Sequence, residues 1–333
     1  MGKRPFLESL GEITMDSPLK NQNVLVTGGC GLVGAHVVER LLALGAKVFV
    51  LDILLKPKSY FETRKLREKS ELILQDVRDL AKFKEVVFKN GISHIFHLAA
   101  QALVPLAYKE PELTLDTNIM GTVNVLEAAR ENSKVEAVVV ASSDKAYGKD
   151  CRDAREDQPL MGGHPYDVSK SAADLITTAY YETYNLPVVV SRFANIFGPG
   201  DLNFDRIVPG IMKAVIKNET LEIRSDGKFV RDYLYVKDVA DGYVLLAEKI
   251  GQTKGQAFNF SAGYNYNVLD LIEEAEKAIG RKCGYKILNS QKNEILFQSL
   301  NYEKAAKVLN WQAKYGLEEG IKDTYDWYQG YFK

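Results

Sequence analysis

Tyr166 and Lys170 stand four residues apart in His164-Pro-Tyr-Asp-Val-Ser-Lys170, a spacing that puts both side chains on one face of a helix. A phenol beside an ammonium moves protons near neutral pH, because the cation favours phenolate and lowers the tyrosine pKa. Upstream, Val138-Val-Val-Ala-Ser-Ser-Asp-Lys145 begins as an apolar, β-branched run and turns polar where a buried strand would end. There Ser143 offers a hydroxyl to the same substrate oxygen, Ser142 lies beside it, and Asp144 and Lys145 add an acid and a base. Each signal alone is weak. Tyr-x-x-x-Lys is common on solvated helix faces, and Asp-Lys at a strand end can be a simple capping pair.

Their weight comes from the elements that must position them. Asn23-Val-Leu-Val-Thr27 reads as a short buried strand, Gly28-Gly-Cys-Gly-Leu-Val-Gly34 follows at once, and Ala35 to Leu44 has helical spacing. Strand, glycine turn and helix in this order predict a dinucleotide-binding loop. Gly28 allows the tight turn, Gly31 lets backbone approach a pyrophosphate, and Gly34 lets helix pack on strand, with Cys30, Leu32 and Val33 completing the cradle. The helix N-terminus supplies unpaired N–H groups to the phosphates. A second strand, Lys47 to Asp52, ends in an acid 18 residues beyond Gly34, suited to the adenosine ribose hydroxyls and favouring NAD over NADP.

Leu72 to Val77 makes a third strand, with Asp76 placed for the adenine amino group and Val77 beside it. His94 to Ala100 makes a fourth, whose small Ala99 and Ala100, between Leu98 and Gln101, let backbone come close to the cofactor. His97 reads as a satisfied strand-end histidine. A helix from about Pro111 to Glu131 carries Asn118, another runs from Tyr166 to about Tyr184, and Leu186 to Arg192 is a further strand leading to Phe193 and Asn195. Strands alternating with helices predict an α/β, doubly wound parallel Rossmann sheet over 21–200. Residues 1–20 read as an N-terminal extension. Residues 201–333 read mostly as a smaller, interleaved α/β substrate-binding domain, with sheet returns near 230–260. In it Arg206 and Arg231 are candidates for a substrate pyrophosphate, since guanidinium forks fit phosphate oxygens, and Ile207 is a further candidate for substrate contact. The aromatics Trp311, Tyr315, Tyr325, Trp327 and Tyr328 read as packing.

The bulk properties exclude other classes. A net charge of -1, with 46% hydrophobic and 26% charged residues, gives no electrostatic reason to expect nucleic acid or an acidic membrane. Three scattered cysteines make neither a disulfide framework nor a metal site, and a cytoplasmic setting is expected. No run is long and apolar enough to span a bilayer.

Taken together, Gly28-x-x-Gly31-x-x-Gly34, Asp52, His97-Leu-Ala-Ala-Gln101, Tyr166-x-x-x-Lys170 and Arg192-x-x-Asn195-x-x-Gly198-Pro199 resemble the extended short-chain dehydrogenase/reductase family, whose members act on nucleotide sugars. The resemblance implies Ser143, Tyr166 and Lys170 as catalytic residues. It gives Lys170 a second role on the nicotinamide ribose, Asn118 a role in the lysine's proton relay and Asn195 a substrate contact. It also implies a cytoplasmic homodimer. Ser143-Asp144-Lys145 is similar to the arrangement of the CDP-glucose 4,6-dehydratases, as are Met161-Gly-Gly163 and Asp205 to Pro209. The glycine loop and Val230 to Val236 look more like epimerases. The expected activity is therefore a nucleotide-sugar 4,6-dehydratase using NAD. A 4-epimerase or 4-ketoreductase on the same fold is the alternative, and a non-catalytic NAD-binding protein the lesser one.

Overall fold

Strands covered on both faces need near-continuous apolar runs, and the first two-thirds of the chain supplies them at regular intervals. In the computed structural model, which describes residues 17–149, 151–290 and 295–333, these become β1 (Asn23–Thr27), β2 (Lys47–Asp52), β3 (Glu71–Leu74), β4 (His94–His97), β5 (Ala137–Ala141) and β6 (Val188–Phe193). Three strands outside this sheet follow, the three-residue β7 (Asn195–Phe197) and β8 (Leu221–Ile223) and the six-residue β9 (Val230–Tyr235), before β10 (Ala257–Phe260) returns to the edge of the large sheet beside β6. The sheet is parallel throughout, in the order β10-β6-β5-β4-β1-β2-β3. The winding reverses between β1 and β4, so a crevice opens at the carboxyl ends of these strands, where open α/β sheets bind ligands.

The flanking helices keep to the apolar faces anticipated for them. Helix Leu32–Ala43 packs its buried Val37, Val38 and Leu41 toward the core and lies against helix Val236–Glu248. Helix Pro165–Tyr184 starts with Pro165 at its first position, where a missing N–H costs nothing, and stops at Asn185 in the left-handed conformation. The helical stretch from Pro111 to Arg130 is interrupted by a π-turn over Asp116–Met120, a wider winding that is frequent at functional sites.

The small sheet is built around β9. On it, β11 (Tyr264–Tyr266) runs antiparallel, while β7 and β13 (Phe297–Gln298) pair in parallel; β8 and β12 (Tyr285–Ile287) form a separate parallel pair. The three-residue β11 and β12 and the two-residue β13 are too short to show an alternation, and the sequence reading missed them. The C-terminal aromatics are packing, as expected: Trp311, Tyr325 and Tyr328 are buried, and Tyr328 also donates its hydroxyl to the Asp201 carbonyl.

Candidate active site

The glycine turn has a shape that side chains would fill. Gly28 sits at φ +69°, and a Cβ there would come within 2.8 Å of the Ala99 nitrogen. At Gly34 a Cβ would meet the Gly28 carbonyl oxygen at 2.2 Å, so the helix can sit on the turn only because that carbon is missing. Gly31 caps helix Leu32–Ala43 without a side chain and is exposed, leaving the first-turn N–H groups facing the crevice. Asp52, at the end of β2, accepts from the Cys30 N–H at 2.9 Å and is raised by burial. This donor set fits a dinucleotide: a bare helix N-terminus for phosphates, a carboxylate one strand away, and the small, half-buried Ala99 and Ala100 at the end of β4.

Other residues expected around a cofactor take varied positions. Leu32, Val33, Leu98 and Gln101 are half-buried around the crevice, whereas Val77 and Phe193 are buried in the core. Phe193 stacks on Phe260 at 4.5 Å between centroids, so its side chain is spent on packing. Asp76 gives both carboxylate oxygens to Arg78, the closest at 2.7 Å, which lowers it. His97 lies between Thr27 and Thr122, and burial drops it to about 3, leaving it the neutral structural histidine the sequence suggested.

The candidate catalytic face is assembled from β5, the π-turn and helix Pro165–Tyr184. Asn118 is held by the π-turn with its Oδ1 on the Gln101 N–H (2.7 Å) and its Nδ2 on the Gln101 carbonyl (3.0 Å) and Ser169 Oγ (2.8 Å). Ser169 in turn donates to the Tyr166 carbonyl at 2.7 Å, which ties the π-turn to the helix one residue before Lys170. Lys170 is buried, donates to the Ala141 carbonyl at 2.8 Å, and is lowered by burial to about 8. The Ser142 hydroxyl reaches the Lys170 carbonyl at 3.5 Å, a weak tie between β5 and the same helix.

Tyr166 corrects one expectation. Its phenol is pushed up to about 12, by burial first and then by Asp144 and Asp167, while the Ser143 hydroxyl and Arg206 pull it down. Burial, with the two acids behind it, outweighs the expected lowering, and the Lys170 ammonium is drawn to the Ala141 carbonyl.

Asp144 and Lys145 open a 3₁₀ turn that Ser143 caps through the Lys145 N–H at 3.2 Å. Asp144 is buried and accepts from the Ser143 hydroxyl at 2.8 Å. Lys145 Nζ lies 3.2 and 3.3 Å from the two oxygens of Asp144 and also donates to Asn195 Oδ1 (3.4 Å) and Gln298 Oε1 (3.0 Å). The pair is thus more than a cap. Its cation reaches across to β7 and β13 of the small sheet.

In the smaller lobe, Arg206 caps helix Ile207–Lys217 and gives two of its nitrogens to Asp201 and the Ile196 carbonyl, both at 2.8 Å. Ile207 opens that helix, and Arg231 on β9 donates to the Val230 carbonyl at 2.9 Å.

Three polar residues at the site escaped the sequence reading. Gln298 is one. Asp167 is fully buried, with His164 Nε2 3.2 Å away and no well-aligned hydrogen bond to its carboxylate among the described residues; burial raises it to about 6. Asp232, beside Arg231 on β9, is buried and raised to about 7, again by burial first. The adjacency of Asp167 to Tyr166 was the available signal for the first acid. For the others only the pairing of distant strands reveals the site.

Comparison with known proteins agrees with this geometry. The family model described as GDP-mannose 4,6 dehydratase matches residues 25–324. A CDP-glucose 4,6-dehydratase of Salmonella typhimurium is 29% identical, over 94% of this chain and 92% of its own. A UDP-glucuronate 4-epimerase of Thermodesulfobacterium geofontis is 30% identical, over 91% of this chain and 95% of its own. The structure of a dTDP-glucose 4,6-dehydratase from Streptomyces venezuelae with NAD bound superposes with a TM-score of 0.85 at 26% identity, covering 93% of this chain and 97% of that one. Dehydratases and epimerases thus match about equally well. A parallel sheet with a glycine cradle at its switch point, a Tyr/Lys/Ser set at the adjoining strand ends and a family match over most of the chain lead to one assignment: the protein belongs to the extended short-chain dehydrogenase/reductase family of NAD-dependent nucleotide-sugar epimerases and dehydratases.

Proposed function

We propose that the protein is a nucleotide-sugar 4,6-dehydratase that uses NAD and converts a nucleoside diphosphate hexose to its 4-keto-6-deoxy product. The observation that carries this reading is the direct contact of Asp144 with Lys145 beside Ser143. An epimerase or ketoreductase needs only the hydroxyl, phenol and lysine. A dehydratase also needs an acid for the departing 6-hydroxyl and a base for the carbon 5 proton.

When bound, NAD would supply the hydride acceptor for carbon 4 of the sugar and then the hydride donor for carbon 6. The Gly28–Gly34 turn, the N-terminus of helix Leu32–Ala43 and Asp52 would hold it, with Asn118, Tyr166 and Lys170 on the nicotinamide side. Tyr166 accepts the 4-hydroxyl proton as phenolate, the form that the Lys170 ammonium and the positive charge of bound nicotinamide would favour against its burial, and Ser143 holds the same oxygen. The 4-ketone then acidifies carbon 5. Moving one proton from the Lys145 ammonium to Asp144 across 3.2 Å makes a carboxylic acid and an amine at the same time. Asp144 gives that proton to the 6-hydroxyl, which leaves as water, and the Lys145 amine takes the carbon 5 proton. When hydride reaches carbon 6, carbon 5 takes its proton back from Lys145, and the proton that Tyr166 took from the 4-hydroxyl restores the ion pair, so the proton balance closes.

Asn195, Arg206, Ile207 and Arg231 are assigned to the substrate, with the two arginines on its pyrophosphate. Arg206 is oriented for this by its bond to Asp201. A homodimer through helix Pro165–Tyr184 and the neighbouring π-turn is part of the same reading, supported by exposed Met120, Val168 and Leu175. The deciding experiment is incubation with CDP-, dTDP-, GDP- and UDP-hexoses. Loss of one water from one of them supports the reading, and inversion at carbon 4 with no loss of water rejects it in favour of an epimerase.

A further inference from the structure

We infer that Gln298 is a positioning residue for the Lys145 base, an inference that rests on the dehydratase reading. Lys145 has three N–H donors in its charged form. The structure gives one direction to Asp144, one to Asn195 Oδ1 at 3.4 Å and one to Gln298 Oε1 at 3.0 Å. If the proton on the Asp144 side is the one transferred, the two amide carbonyls still hold the other two. The lone pair then lies on the side vacated toward Asp144, where carbon 5, bonded to the carbon that carries the departing hydroxyl, must present its proton. Lysine alone would not keep that direction, because its ammonium turns freely about a flexible stem.

Gln298 is built for the purpose. It is 0% exposed and lies on β13, whose register against β9 sets it opposite Arg231. Asn195 on β7 is opposite Tyr233, so the two amides flank Asp232 along the same strand. Their Nδ2 and Nε2 atoms are buried with no hydrogen-bond partner among the described residues. A buried, half-satisfied amide costs stability, and packing alone would be served better by an apolar residue. Its carbonyl is committed to one atom, Lys145 Nζ.

The test is Gln298→Met, which keeps length and removes the carbonyl, on the enzyme purified with its cofactor. Bound NAD and the thermal melt check the fold. The expected result is a fall in dehydration kcat of about 10- to 100-fold, the scale of a small misplacement of a catalytic group, with KM within about threefold. In a single turnover the oxidation at carbon 4, followed by nicotinamide absorbance, keeps its rate. Reduced cofactor therefore accumulates, and the isotope effect of a carbon 5 deuterated substrate grows. Unchanged dehydration overturns the inference. So does oxidation slowed in parallel, which would mark a purely structural role. If the Met variant does not retain cofactor, Gln298→Glu takes its place: its added charge holds the Lys145 proton, so it must oxidise normally and dehydrate slowly, and wild-type dehydration would overturn the inference. A wild-type enzyme that dehydrates none of the nucleotide hexoses removes the underlying reading, a result distinct from an unaffected variant of an active dehydratase.

Discussion

At the residue scale, the site is a set of groups whose surroundings set their charge. Tyr166→Phe removes the proposed proton acceptor for the 4-hydroxyl, and turnover is expected to fall by about 10²- to 10⁴-fold with bound NAD retained, measured by product formation and cofactor content. Asp167 gives a prediction in stability. Its carboxyl titrates near 6 folded against 3.8 in the reference state, so the folded protein binds more protons between those values. The favourable contribution of the protonated acid is full below pH 3.8 and is lost as pH rises through 6. Asp167→Asn is therefore expected to melt higher than wild type at pH 8, and the gain to vanish below about pH 4. A gain independent of pH would contradict this origin. Ser143, Asp144, Lys145, Tyr166 and Lys170 were legible because their types and order are local. Capture of Lys170 by the Ala141 carbonyl was not, since a backbone acceptor carries no sequence signature.

At the scale of elements, the glycine turn has the strictest geometry. Gly34→Ala sets a methyl against the Gly28 carbonyl, a backbone atom that cannot swing aside. The helix must lift from the turn, at an expected cost of about 1–3 kcal/mol in chemical denaturation together with loss of bound NAD. Unchanged NAD content would show that the turn does not hold the cofactor. The strands of the large sheet and the helices at Leu32–Ala43 and Pro165–Tyr184 were readable from continuous apolar runs and helical spacing, whereas helix Leu80–Lys89 after β3 was not read. The π-turn at Asn118 was not readable, because π and α windings share the same residue preferences over one turn. The strands β11, β12 and β13 owe their existence to partners far away in sequence.

At the scale of the whole molecule, two sheets meet at one site. The large sheet supplies the cradle and the strand ends that carry the proposed catalytic residues, and the small sheet presents Asn195 and Gln298 to Lys145. The extension expected over 1–20 lies outside the described residues as far as residue 16. Among the described residues no helix is long and apolar enough to cross a membrane. The proposed dimer makes its own prediction: light scattering gives twice the chain mass for wild type, and Leu175→Arg, an exposed position, gives a folded monomer. A monomeric wild type would refute it. The central claim is that hydride leaving carbon 4 is returned to carbon 6 while Asp144 and Lys145 remove water between the two. A nucleotide hexose deuterated at carbon 4 tests it most directly. The account predicts a 4-keto-6-deoxy product, lighter by one water, carrying the label at carbon 6; a label found back on carbon 4 of an inverted sugar with all its oxygens would contradict it.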